Sequence, residues 1–130
     1  MAGIDEKHGG LLLHADCDGG PPRGTSGASS YEAAVRANWA SKLWWVHPEA
    51  LYATLLACRM SGGDSLHAWF DRVREYAFRI FPHPDPAVGE WIQIRDREGK
   101  PIERVVALPV KDPYHIARNL IQIIELLVRC

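Results

Sequence analysis

The chain lacks an excess of charge of either sign. Fifteen Lys and Arg stand against 16 Asp and Glu, leaving a formal net charge of −1 over 130 residues. No basic stripe exists to neutralise phosphates and no acidic block forms a tail, so a nucleic-acid partner is not expected. Cysteine is scarce. Cys17, Cys58 and Cys130 are odd in number, far apart in sequence and form no CxxC pair, which excludes a disulfide framework and a cysteine zinc site. A reduced, cytoplasmic setting is expected. The opening "MAGIDEKHGG" lacks the charged and then apolar run of a secretory signal. No apolar segment approaches the ~20 residues that span a bilayer, so a membrane partner is not expected either.

What is present is a 47% hydrophobic composition in a length suited to one domain, residues 1–130. "GGLLLHAD", residues 9–16, is a short apolar run bounded by glycine and predicts a buried strand. The Gly-, Pro- and Ser-rich stretch that follows predicts a loop. "SSYEAAVRANWASKLWW" opens on a serine cap and carries Ala-rich helical spacing. A second helix is predicted from Pro48, where the missing N–H suits a first turn, to about Met60.

Asp64 or Ser65 can cap a third helix. Its apolar positions Leu66, Trp69, Phe70, Val73, Ala77 and Ile80 recur at three- and four-residue steps. "EWIQIRDREGKPIERVVALPV" predicts strand, turn and strand, with "DREGK" as the turn. A last helix is predicted from about Pro113 to Val128. On it His115, Arg118, Asn119 and Gln122 share one face. The pattern is that of a mainly α domain built from helical hairpins.

Six histidines, at 8, 14, 47, 67, 83 and 115, include no i, i+4 pair of the kind that binds zinc on a helix, so neither metal nor cofactor is expected. His47 and His115 differ from the rest. Each lies at a helix start beside large aromatics, Trp44 and Trp45 for one and Tyr114 for the other. The partial positive charge of a helix N-terminus favours a neutral, proton-accepting imidazole. Glu49 follows His47 by two positions. It can serve the helix dipole or a site, and both readings stand on spacing alone. Aromatic faces beside hydrogen-bonding groups suit a sugar; the same aromatics also serve as ordinary core.

"KLWWVHPEALYATLLA" resembles the "KLWW-P-H-x-EA" segment of the N-acylglucosamine 2-epimerase family. "WFDRVREYAFRIFPHPDPAVGEWIQIRDREGKP" is similar to the family's helix, its "F-x-DP-x-x-GEW" turn and its "DR-x-GKP" hairpin. "LPVKDPYHIARNL" resembles the "K-G-x-FH-x-PR-x-L" ending, and "DEKHGGLLLHAD" the "D-x-x-HGG" strand. The likeness covers nearly the whole chain, with a divergent loop over residues 17–30. It implies the C-terminal third of an (α/α)6 barrel, about four helices and a short hairpin, in a carbohydrate epimerase or isomerase.

By this resemblance His115 falls on a catalytic histidine. Trp44, Trp45, Glu49, His47, Lys111 and Arg118 fall on or near substrate-binding positions, with Arg118 also open to a structural role. The family's other catalytic histidine lies upstream and has no counterpart here. The expected ligand is a monosaccharide or amino sugar. The expected activity of the chain alone is weak or absent, with self-association or a complementary barrel chain covering the exposed helices. The alternative is a non-catalytic helical sugar-binding or interaction module derived from the same fold.

Overall fold

The computed structural model describes residues 2–24, 27, 29–103 and 113–128. Four helices and one two-stranded sheet account for its regular structure: α1 (Ser30–Asn38), β1 (Lys42–Leu43), α2 (Val46–Ser61), α3 (Asp64–Ile80), β2 (Ile94–Arg95) and α4 (Tyr114–Val128). The Ser29 hydroxyl accepts from the Glu32 N–H at 3.2 Å, the serine cap read from sequence. α1 stops at Asn38, so the "SKLWW" run is not its continuation. Lys42 and Leu43 instead pair antiparallel with Arg95 and Ile94.

α2 begins two residues ahead of Pro48, which sits inside its first turn. It ends where Gly62 turns into the left-handed region at φ 67° and donates to the Cys58 carbonyl. No described helix is long and apolar enough to cross a membrane.

α2 is the central helix and packs on both α3 and α4. Leu51 and Leu55 from α2 meet Phe70, Val73, Tyr76 and Ala77 from α3, Ile123 from α4, and Phe81 and Trp44 from the flanking segments. Each fully buried side chain of this size contributes about 1.5–3 kcal/mol from removal of apolar surface. The α3 pattern is confirmed at Phe70, Val73 and Ala77. Tyr76 joins them although it lies off the expected set, because the N-terminal arm covers it.

That arm is not the strand expected over residues 9–16. Ile4 and Leu11 form a single antiparallel bridge, and the chain turns tightly between them. Gly9 and Gly10 take φ of 75° and 73°, and an added Cβ would lie 2.9 and 2.4 Å from the Tyr76 ring. The pair is glycine because backbone lies directly on an aromatic face.

Beneath the arm, Asp5 receives Arg97 Nε at 2.9 Å and lies 3.4 Å from Lys42 Nζ. Lys42 is fully buried and donates to the carbonyls of Gly9 and Arg97. Burial raises the Asp5 carboxyl, but Arg97, Lys42 and the His8 amide outweigh it and bring it down to about 2. Burial pushes the Lys42 ammonium down. "DREGK" forms its turn, closed by Asp96 N–H to Lys100 O at 2.8 Å. The second strand expected of that hairpin falls mostly on residues 104–110, outside the described residues.

Candidate functional site

α2 and α4 lie against each other so that their first turns meet. Glu49 is the fourth residue of α2, and His115 and Arg118 are the second and fifth of α4. His115 Nδ1 stands 2.7 Å from Glu49 Oε1. Arg118 Nη2 donates to both carboxylate oxygens, at 2.8 and 2.7 Å. Burial pushes the Glu49 carboxyl up. The neighbouring His115 and Asn119 side chains and the charge of Arg118 more than reverse this, so it lies below its ordinary value and is ionised near neutral pH. An ionised carboxylate can only accept, so the His115 Nδ1 carries the proton and donates. In the neutral ring that leaves a lone pair on Nε2, at the opposite edge.

The ring is framed by aromatics. Trp45 lies at 5.1 Å between centroids, tilted by 37°, and Tyr114 meets it edge-on at 5.6 Å. Both His115 and Glu49 keep about a third of their side-chain surface accessible, and Trp45 is 36% exposed. The arrangement therefore offers an aromatic wall, a basic nitrogen and a carboxylate on one accessible face.

Trp44 and His47 do not share that face. Adjacent residues at a strand-to-helix junction point to different sides, and Trp44 turns into the core at 5% exposure. His47 is fully buried, and both of its ring nitrogens are taken. Its Nδ1 donates to the Leu43 carbonyl at 2.8 Å, and its Nε2 accepts the Leu11 amide at 3.0 Å. Burial is the main cause that depresses its pKa to about 4, aided by nearby Lys42 and opposed by the Leu43 carbonyl. The helix terminus invoked from sequence is not the cause. Both side chains are thus turned into the packed interior of this chain. His47 pins the N-terminal arm to the start of α2.

Lys111 lies outside the described residues. Arg118 binds Glu49 through Nη2, which gives it a carboxylate partner within the protein. Asn119, fully buried one residue further on, was placed by spacing on the His115 face but assigned no role. It donates to the His115 carbonyl at 2.7 Å and accepts from Arg118 at 3.1 Å. Its i+4 relation to His115 was the signal available. The Asp5–Lys42–Arg97 cluster was not foreseen at all. Among the described residues, Asp16, Cys17 and Asp18 bring potential metal-ligand atoms within 4.8 Å of one another. Arg23 pairs with both carboxylates, so the group reads as an ion-paired turn.

The family model described as N-acylglucosamine 2-epimerase matches residues 2–119. The human N-acylglucosamine 2-epimerase is 36% identical over 126 residues, 97% of this chain and 26% of the human protein. The Bos taurus enzyme of the same name is 35% identical with the same coverage. Among solved structures, a cellobiose 2-epimerase from Bacillus thermoamylovorans superposes with a TM-score of 0.57 at 28% identity, over 65% of this chain and 22% of that one. A D-mannose isomerase shares the fold with a TM-score of 0.68 at 16% identity, over 95% of this chain and 27% of its own length. The chain thus spans about a quarter of the curated relatives' length, rather than the third expected.

Proposed function

The chain belongs to the N-acylglucosamine 2-epimerase family, and from that premise we propose that His115 is an acid/base for proton transfer at C2 of an open-chain aldose. The observation that carries this is the 2.7 Å contact from Nδ1 to Glu49, which leaves Nε2 as the proton acceptor of a side chain about a third exposed. Ring opening exposes the C1 aldehyde, which acidifies the C2 proton. Nε2 takes that proton, and the C2–H electron pair moves through C1 onto the carbonyl oxygen to give an enediolate.

Glu49 stabilises the imidazolium so formed, as a carboxylate orients a catalytic histidine elsewhere. Return of the proton to C1 isomerises the sugar. Return to the opposite face of C2 epimerises it and requires a second base, which this chain does not provide by resemblance. Trp45 supplies a stacking wall for the C–H face of the sugar. The substrate class proposed is a monosaccharide or N-acylated amino sugar, which the names of the relatives support.

This region forms the C-terminal part of an (α/α)6 barrel. The support is the exposed side of α4, where Ile121, Ile124, Leu127 and Val128 stand more than half exposed. A helix apolar on both sides belongs between two layers. A complementary barrel chain or self-association would cover it, and alone the chain turns over weakly or not at all. The same observation favours the second reading, a sugar-binding or interaction module without turnover.

Proton exchange at C2 separates the two readings. The chain, alone and combined with the remainder of the human relative, is incubated in D2O with mannose, N-acetylmannosamine or glucose and followed by NMR. Deuterium entry at C2 that is lost in His115→Ala supports the acid/base reading, and binding without exchange supports the module. Exchange undiminished in His115→Ala overturns the assignment of His115.

A further inference from the structure

We propose that Asn119 is the positioning residue of this site: a buried amide that fixes the Arg118 head and thereby holds Glu49 on the Nδ1 edge of His115. The inference rests on the reading of His115 and Glu49 as a proton-transfer pair. Its support is geometric. Asn119 has no exposed surface, and a buried amide without partners costs free energy that an aliphatic residue would not. Here Nδ2 donates to the His115 carbonyl at 2.7 Å, and Oδ1 accepts Arg118 Nη2 at 3.1 Å.

That nitrogen is the same one that binds both oxygens of Glu49, at 2.8 and 2.7 Å. Arg118 Nε is buried and has no hydrogen-bond partner among the described residues. Among the described residues the hydrogen bonds of the guanidinium therefore run through Nη2, with Glu49 on one side and Asn119 on the other, while its carbon lies 5.4 Å from the centre of the Tyr114 ring. Remove the amide oxygen and the head can swing about the carboxylate. The carboxylate then loses its fixed plane against the His115 ring.

In the "YHIARNL" stretch, Asn119 stands at the position that the resembling motif leaves open. A residue that only filled space there would be aliphatic, as its neighbours Ile116, Leu120 and Ile123 are.

The test is the tautomer of His115, read from long-range proton–nitrogen NMR of the 15N-labelled chain near pH 8. The unmodified chain is expected to show Nδ1–H as the major form. Asn119→Leu, which keeps the branched shape without the hydrogen-bonding groups, and Asn119→Ser are expected to raise the Nε2–H form at least threefold. Glu49→Ala serves as the control and is expected to do the same. If Glu49→Ala shifts the tautomer while Asn119→Leu folds and leaves it unchanged, the proposal for Asn119 fails and the pair stands. If Glu49→Ala leaves it unchanged, the pair itself fails. Loss of the folded amide spectrum in both Asn119 variants overturns the proposal in favour of a structural role.

Discussion

His47 and His115 are both histidines in the first turn of a helix beside aromatic residues, yet their surroundings give them opposite characters. His47 has two internal partners and no surface, whereas among the described residues the His115 ring has one hydrogen-bond partner and keeps about a third of its side chain exposed. Their difference has a pH signature. His47 is neutral when folded and titrates at about 4 instead of 6.5. Between those values the unfolded chain takes up a proton that the folded chain refuses, so stability falls as pH falls, by about 3 kcal/mol in all. Asp5 acts below that range. Its folded value of about 2 is depressed from 3.8, so its contribution of about 2 kcal/mol is present above pH 4 and is lost as pH falls towards 2. Urea denaturation as a function of pH should show both slopes, and a folded His47→Gln variant should keep only the lower one. Spacing could not separate the two histidines, because what distinguishes them is a backbone amide 36 residues away in sequence. The Glu49–His115 contact, 66 residues apart, was reachable only through the ordered motifs. Asp5→Ala should cost about 3–5 kcal/mol by leaving the Lys42 ammonium buried without its counter-ion, measurable in the same denaturation experiment.

At the scale of elements, the helices and the first strand of the hairpin were legible, and the arm and β1 were not. Amphipathic spacing, a serine cap and the "SGGD" break are local signals: α1 begins at its serine cap, and α2 ends at the break. The apolar run 9–16 misled because it is held by turn and arm contacts rather than by a sheet, with Leu12 buried and Leu11 and Leu13 half-buried. The two residues of β1 were hidden at the end of a helical pattern, since pairing with β2 is a long-range choice. The arm provides a comparison within one chain. Gly10 and Gly62 have similar φ, 73° and 67°, but a Cβ at Gly10 meets the Tyr76 ring while one at Gly62 meets nothing within 4 Å. Gly62→Ala should therefore cost only the backbone term, about 1–2 kcal/mol. Gly10→Ala should cost clearly more, because the ring or the arm must move. Chemical denaturation of the two variants side by side checks the ordering.

At the scale of the whole molecule, the exposed side of α4 sets the behaviour of the chain. Ile124→Glu is expected to leave helix content unchanged and to reduce self-association or assembly with a complementary chain, read by sedimentation velocity. Unchanged sedimentation would remove that side of α4 from any interface. The arm contributes a different property. The Leu11 amide is bonded inward to the His47 imidazole, so the ring doubles as a lock whose key is a proton. Once Nε2 is protonated it becomes a donor facing a donor, and the arm has to lift. In deuterium labelling the Leu11 amide would then behave as a timer for acid release, opening at a proton concentration at which the α2–α3 core amides are still closed.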